Sequence, residues 1–355
     1  MSKILLHICD YAAPYKGNFI NSLQYLEKNG EVKNIYIFPN RAKNNSAYEW
    51  IKSLNDTETV AYIQEENWMK NLLLIKKIIE KHSVDYVFRH FYDIKIDLIL
   101  KVLFRSKKII RFFHCMYDNN SLNKIKHFSR KVIWKNNILV GVSKATSRTL
   151  KQAFNNFSVK TVENAIDFTR LNVVNASEKK NKISLMVMGY NIKVKGVDIA
   201  LKVVDRLRKE YDLLLRIVAP SNEKHLVSFI NDIYGGMPEW VELLPPTNNI
   251  ATYYNNTDIF LSPSRTEAFG YAVVEAAYCK NSIVASDVEG QGELEINGVY
   301  WFKSEDIDDF SLKLELAIQQ LHSSEKTSQK EKVFEDVQNL YSLERWKKEI
   351  IEIVQ

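Results

Sequence analysis

Short apolar runs, partly β-branched, alternate with longer segments of helical periodicity almost from one end of the chain to the other. That alternation is the pattern of parallel β-α-β units, in which strands are buried on both faces by crossover helices. The spacing predicts strands at Ile4 to Cys9, Ile35 to Phe38, Val84 to Phe88, Ile109 to Phe113, Ile138 to Val142 and Val159 to Glu163. Helices are expected near Asn18 to Lys28, Trp68 to Lys81, Asp93 to Phe104, Leu122 to Lys135 and Lys144 to Phe154. From Leu171 to Lys182 the text turns polar and loses its apolar period, as a linker does. A second series follows, with strands at Ile183 to Met188, Leu213 to Val218, Val241 to Leu244, Ile259 to Leu261 and Ile283 to Ser286. Its helices start near Gly196, Glu223, Ile250, Gly270 and Asp306. The chain has 355 residues, and domains commonly run to roughly 100 to 200. Two doubly wound α/β domains are therefore expected: one over 1–170, a linker over 171–182, and a second over 183–335. A helical segment over 336–355, interrupted around Tyr341 to Leu343, is expected to cross back to the first domain.

Several function classes are poorly served by the text. Apolar residues are 46% and charged residues 26% of the chain, as in soluble globular proteins, and runs such as Leu72 to Ile75 are too short to cross a bilayer. The opening reads as a first strand rather than a signal peptide, and Cys9, Cys115 and Cys279 lack C-x-x-C spacing, so a cytoplasmic protein with reduced thiols is expected. The 11 glycines contain no G-x-G-x-x-G or P-loop spacing, and the seven histidines form no H-E-x-x-H pair, so no metal site is expected. Gly141-Val142-Ser143-Lys144-Ala145 stops one residue short of a nucleophile elbow, which leaves Ser143 as a helix cap. Asp306-Ile307-Asp308-Asp309 directly precedes an apolar helical pattern and reads as helix-start chemistry. A net charge of +6 with no recognisable module gives no reason to expect nucleic acid.

The densest chemistry lies in Ser262-Pro263-Ser264-Arg265-Thr266-Glu267-Ala268-Phe269-Gly270-Tyr271-Ala272-Val273-Val274-Glu275. A strand ends near Leu261, a loop carries Glu267, and a helix opens at about Gly270 with Glu275 inside it. The helix N-terminus at the carboxyl edge of a parallel sheet offers amides and a positive dipole end to an anion. Two carboxylates eight positions apart would span about 12 Å if wholly helical, enough to meet separate hydroxyl-bearing parts of one extended ligand. A capping carboxylate plus a surface Glu is the plainer reading of the acids alone.

Ser-x-x-Glu-x-Phe-Gly with a second Glu in E-x7-E spacing resembles the donor-site signature of the retaining glycosyltransferases of family 4, whose fold is GT-B: two Rossmann-like domains facing a cleft. Gly189-Tyr190-Asn191-Ile192-Lys193-Val194-Lys195-Gly196 is similar to that family's G-R-x-x-x-x-K-G segment, and Asn164-Ala165-Ile166-Asp167 to its N-G-[IV]-D element. Tyr11 to Asn18, with Gly17, resembles the N-terminal glycine-bearing loop, His114 stands where the family commonly keeps a histidine, and Tyr341 to Trp346 resembles the closing helix. The chain departs from the pattern at Tyr190 for Arg, Ala165 for Gly, Lys280-Asn281-Ser282 for Gly-x-Pro, and Val218-Ala219-Pro220 for Gly-x-Gly.

The resemblance implies transfer of a hexose-type sugar from a nucleotide-diphosphate sugar, UDP rather than GDP, to a glycan or lipid-linked acceptor. Retention of configuration, no required metal or other cofactor, and a place in cell-surface polysaccharide or glycoconjugate synthesis are implied with it. Lys195 would neutralise the diphosphate, with Lys193 standing in for the missing arginine, and Gly189 and Tyr190 would complete that turn. Glu267 and the amides of Phe269 and Gly270 would hold the hexose, Glu275 the ribose hydroxyls, and His114 the hexose from the other side. Gly17 would let its loop approach the phosphate or acceptor, with Tyr15 on the acceptor side. A nucleotide-sugar epimerase of the same fold, and a catalytically silent nucleotide-sugar-binding partner subunit, remain as alternatives.

Between Lys101 and Lys135 ten basic residues face the single acid Asp118. Apolar residues at helical spacing alternate there with Lys124, Lys126, Arg130 and Lys131, so the segment suits either a core-facing helix with a solvated rim or one lying on an anionic membrane. The second choice would dock the enzyme at the inner face of the membrane, beside a lipid-linked acceptor.

Overall fold

The computed structural model describes residues 2–10, 16–43, 46–54, 59–64, 67–91, 94–103, 108–117, 124–171, 182–219, 223–247, 249–321 and 323–355; for 46–48, 124–126, 223 and 324–327 it describes the backbone alone. The chain divides into two compact units, one of Met1–Ala165 with Leu343–Gln355 and the other of Ile166–Ser342.

The first unit is built on seven parallel strands: β1 (Lys3–Cys9), β2 (Val32–Pro39), β3 (Val60–Ile63), β4 (Tyr86–His90), β5 (Lys108–Phe113), β6 (Ile138–Gly141) and β7 (Ser158–Thr161). Their order is β3-β2-β1-β4-β5-β6-β7, which reverses between β1 and β4. The helices are α1 (Asn18–Leu26), α2 (Trp68–His82), α3 (Ile94–Leu103), α4 (Lys124–Ile133) and α5 (Lys144–Ala153). Leu5, Phe38, Phe88 and Phe112 pack on one face with Leu23 and Leu26 of α1, while Leu6, Ile8, Val87 and Ile109 pack on the other with Ile75, Ile99 and Leu100. Each such side chain contributes about 1.5 to 3 kcal/mol on burial, which is why the strands read as unbroken apolar runs. Local signals start and stop the helices. Asn67 accepts the Lys70 amide at 3.0 Å to open α2, which ends at Ser83 in the left-handed region. Ser143 accepts the Thr146 amide at 3.0 Å to open α5, and this capping is the role its sequence context predicts.

The second unit holds β8 (Ile183–Met188), β9 (Leu213–Val218), β10 (Val241–Leu244), β11 (Ile259–Ser262), β12 (Ser282–Ser286) and β13 (Tyr300–Phe302), all parallel, in the order β10-β9-β8-β11-β12-β13. Its helices are α6 (Val197–Leu207), α7 (Glu223–Tyr234), α8 (Ile250–Asn255), α9 (Tyr271–Tyr278), α10 (Ile307–Gln319) and α11 (Ser324–Leu340). One face of the sheet is covered by apolar residues of α6, α7 and α10, the other by those of α8, α9 and α11. Asp306 accepts the Asp309 amide at 3.0 Å and caps α10, so its acidic run is accounted for by helix initiation.

Both sheets gain a strand that the sequence pattern does not announce. Val60–Ile63 and Tyr300–Phe302 are edge strands of four and three residues, too short to carry a period. The unit boundaries also differ from the expected 170, 183 and 336. Ile166 bridges to Ser342 and donates its amide to the Tyr341 carbonyl at 2.9 Å. Residues 166–171 and 336–342 therefore belong to the second unit, and the polar 172–181 lie outside the described residues. The last helix, α12 (Leu343–Val354), buries Trp346, Ile350 and Val354 in the core of the first unit. Arg345 fastens it by donating to the carbonyls of Glu163 and Asn164 at 2.7 and 3.1 Å.

Candidate functional site

The strand order of the second unit reverses between β8 and β11, which pair directly, Ile259 opposite Leu185. Helices leaving two such strands go to opposite faces, so the loops after them diverge and open a crevice at the carboxyl edge. Here those loops are 189–196 and 263–270, the two segments richest in chemistry.

Glycine lets the two loops touch. Gly196 has φ +67°, and a Cβ there would lie 1.8 Å from the Pro263 carbonyl oxygen. The loops are then tied: the Arg265 amide donates to the Val194 carbonyl at 2.8 Å, and the Arg265 guanidinium grips Asp198 at 2.8 and 3.1 Å and Glu305 at 2.7 Å. Across this junction the Lys195 ammonium pairs with the Glu267 carboxylate, the two side chains 12% and 19% exposed. The Tyr190 ring stands beside it, its centroid 4.9 Å from Lys195 Nζ. Burial works against the ammonium, but Glu267 and Tyr190 outweigh it and raise its pKa above the ordinary lysine value, so Lys195 is a cation at neutral pH. Lys193 is turned to Asp198 at 3.0 Å and is 74% exposed. The place of the family's arginine is taken by an aromatic ring rather than a second cation.

Beneath Glu267 lies a support that no motif predicts. A Cβ on Gly290 would meet the Glu267 carbonyl oxygen at 2.1 Å. The buried Gln291 accepts from Ser262 at 2.8 Å and donates to the carbonyls of Ser262 and Ser286 at 3.1 and 2.8 Å, while the Ser286 hydroxyl donates to the Ser264 carbonyl at 2.6 Å. This network fixes the path of the Glu267 loop. The pair of glycines flanking Gln291 is its one trace in the sequence.

The loop runs into α9. Gly270 occupies the N-cap with no side-chain cap, and the Phe269 side chain is buried against Tyr271 and Tyr341. Glu275, just over one turn on, accepts from the Tyr254 hydroxyl at 2.9 Å and lies 3.7 Å from the Arg170 guanidinium. Burial first, and the neighbouring carboxylate second, push the Tyr254 phenol well above its usual pKa, so it stays a donor to Glu275. Tyr254 and Arg170 are partners that the sequence reading does not name. Gly189 packs where a Cβ would meet Ile217 at 2.5 Å, and its amide donates to the Val218 carbonyl at 2.8 Å, closing the turn after β8.

The remaining expected site residues lie in the first unit. His114 follows β5, partly buried, and burial lowers its pKa to about 4, so the ring is neutral. Gly17 caps α1 with extended backbone, and a Cβ there would meet no atom of the described residues within 4 Å. Tyr15 and the side chains of Lys124 and Lys126 lie outside the described residues. Arg130 is engaged within the unit, its guanidinium 5.8 Å from the Tyr117 ring centroid and 5.5 Å from that of Trp134, and Lys131 is half-buried nearby. A cavity of about 630 Å³ also belongs to this unit, lined by residues of α2 and α3 rather than by any residue of the candidate site. Among the described residues no cluster of His, Cys, Asp and Glu is gathered as metal ligands, and no helix is long and apolar enough to cross a membrane.

The family model for Glycosyl transferases group 1 matches residues 167–333, which span both loops and α9. The capsular polysaccharide biosynthesis glycosyltransferase CapH of Staphylococcus aureus is 24% identical over 232 residues, covering 61% of this chain and 64% of that protein. The chain thus spans less than two thirds of that relative's length. Among solved structures, a glycosyltransferase from Rickettsia africae matches with TM-score 0.81 at 18% identity over 99% of this chain and 98% of that one. HepE of Anabaena, solved with UDP and glucose, matches with TM-score 0.78 at 13% identity over 99% of both chains. The shared architecture is the pair of Rossmann-like units of the GT-B fold.

Proposed function

Because residues 167–333 belong to the Glycosyl transferases group 1, we propose that the protein transfers a hexose-type sugar from UDP to a glycan or lipid-linked acceptor, with retained configuration and no required metal, in cell-surface polysaccharide or glycoconjugate synthesis. The observation that carries the proposal is the Lys195–Glu267 pair at the strand-order reversal, beside the uncapped start of α9. An anionic diphosphate entering there gains Lys195 and the helix amides together. UDP in HepE supports the choice of nucleotide, and the CapH likeness supports the polysaccharide setting.

In this mechanism Lys195 turns from Glu267 to the diphosphate, which frees Glu267 to accept hydrogen bonds from the hexose with the Phe269 and Gly270 amides. Glu275, steadied by Tyr254, accepts from the ribose hydroxyls. The bond from the anomeric carbon to the phosphate oxygen breaks with its electron pair going to phosphate, and the acceptor oxygen bonds on the same face. The acceptor proton passes to the departing phosphate oxygen, so no protein nucleophile is needed.

A thermal-shift series tests the nucleotide. UDP at about one hundred times its Kd stabilises the fold by about 2.7 kcal/mol, a rise of several degrees, whereas GDP at the same concentration gives a smaller one. Product analysis by nuclear magnetic resonance then separates the alternatives: a transferase makes a new glycosidic bond, an epimerase alters the sugar with no acceptor, and a silent partner binds without turnover. Equal response to UDP and GDP would remove the choice of base.

For the acceptor side we infer a membrane-facing role at the cytoplasmic leaflet. Trp68, Met69 and Leu73 of α2 and Leu98 and Val102 of α3 are exposed beside the exposed Lys70, Lys95 and Lys101. This favours an anionic lipid surface more than α4 does, since Arg130 is occupied by Tyr117 and Trp134. Apolar insertion adds to about 1 kcal/mol per base. Co-sedimentation with vesicles is expected to rise with anionic lipid content and to fall sharply in a Trp68→Glu, Leu98→Glu variant. Binding that ignores both lipid charge and these substitutions rules the surface out.

A further inference from the structure

Three histidines cross three neighbouring strands of the first unit in one line. His7 lies on β1, His90 ends β4 and His114 follows β5. His7 and His90 are fully buried, and so is Asn34 on β2. Asn34 Oδ1 stands 2.9 Å from His7 Nε2, His7 Nδ1 is 3.1 Å from His90 Nε2, and His90 Nδ1 is 3.3 Å from His114 Nε2.

The direction of this chain is set at its far end. Asn34 Nδ2 donates to the Leu23 carbonyl at 2.6 Å, an atom that can only accept, so the Asn34 amide cannot be turned round and its Oδ1 must face His7. Oδ1 in turn only accepts, so the proton of His7 sits on Nε2. A neutral imidazole carries one N–H, which leaves His7 Nδ1 as a lone pair and makes His90 Nε2 the donor to it. His90 Nδ1 is then a lone pair, and His114 Nε2 must donate. The last ring nitrogen, His114 Nδ1, is left as an acceptor with no partner among the described residues. Burial, the largest influence on each ring, lowers His7 and His114 to about 4 and His90 well below its ordinary value, so all three are neutral at pH 7. A proton added to His7 or His90 would set two N–H groups against each other.

We propose that Asn34, His7 and His90 are positioning residues that lock His114 as its Nε2–H tautomer, so that its Nδ1 acts only as a hydrogen-bond acceptor and selects a ligand that presents a hydroxyl donor there. The tautomer follows from the network alone; the identity of the ligand rests on the glycosyltransferase reading. Phe19 packs edge-on against His90 and His114, with ring centroids 4.7 and 4.6 Å away, and shields the line from water that would otherwise scramble it.

Nitrogen-15 labelling of histidine with long-range correlation to the ring carbon-bound protons distinguishes the two tautomers in the wild-type protein. At pH 7 all three rings are expected as neutral Nε2–H forms, assigned by substituting one histidine at a time. His114 found as Nδ1–H, or as imidazolium, overturns the proposal. His90→Phe breaks the line and is expected to leave His114 with mixed tautomers and to lower kcat/KM for the sugar nucleotide about tenfold, with the response to UDP alone unchanged. His90→Gln, able both to donate to His7 and to accept from His114, restores the tautomer and most of the rate. An unaltered His114 tautomer in His90→Phe overturns the relay. If the tautomers are as stated and no sugar nucleotide supports turnover, the sugar-facing role falls with the transferase reading, while the locked imidazole stands.

Discussion

Replacing Lys195 with alanine is expected to slow sugar transfer by about a hundredfold to a thousandfold, the usual loss when one fixed group facing developing charge is removed. In the resting site the ammonium faces Glu267 and Tyr190, while the neighbouring cations Lys193 and Arg265 are turned to Asp198. The turn therefore lacks the second charge that would soften the loss. The measurement is the initial rate with saturating donor, paired with circular dichroism and Tm to confirm folding. Lys195→Arg keeps the charge but spreads it over a planar fork, and is expected to recover only part of the rate. A Lys195→Ala enzyme within tenfold of wild type sinks the assigned role.

The largest effect on stability is expected from Asp97, deep in the first unit. Its Oδ1 accepts from Arg89 Nε at 3.1 Å and Arg111 Nη1 at 3.0 Å, and its Oδ2 accepts from Trp134 Nε1 at 2.8 Å. All four side chains are essentially inaccessible. Burial lowers the Arg111 pKa to about 10; Asp97 opposes that shift and Arg89 adds to it. Taking the carboxylate away leaves two buried guanidinium cations with Asp10, which pairs with Arg89, to offset them, and breaking a buried pair in this way costs about 3 to 5 kcal/mol. Native stability totals only about 5 to 15 kcal/mol, so Asp97→Ala should leave the first unit near or past its unfolding threshold at 25 °C. Urea unfolding, with hydrogen exchange assigning the transition to the first unit, checks it. A loss below about 1 kcal/mol shows that the arginines find other partners.

The fold was legible because its strands are buried on both faces. Runs such as Leu185-Met186-Val187 and Ile259-Phe260-Leu261 owe their uniform apolarity to helices above and below, and that uniformity can be seen without coordinates. Edge strands have one neighbour and few residues, so Val60–Ile63 and Tyr300–Phe302 left no comparable trace. In the candidate site, the loop residues Lys195 and Glu267, which pair in the fold, stand out in the sequence because they sit in dense local motifs. What escaped were partners distant in sequence: Gln291 under Ser262, Tyr254 beside Glu275, and the line from Asn34 to His114. Single polar residues inside apolar strands, such as His7 in Leu-Leu-His-Ile-Cys, look like interruptions until the neighbouring strands bring up the groups that answer them. The contacts of Lys193 escaped for the same reason, since Asp198 and Arg265 meet it only after the turn closes.

The bridge between Ile166 and Ser342 has a bearing on ancestry. A stretch of 177 residues that leaves and rejoins its host at adjacent points has coincident ends, the property that lets a module be inserted into another gene without stretching either partner. Recombination at that seam exchanges the second unit whole and leaves the first, with its terminal helix, intact.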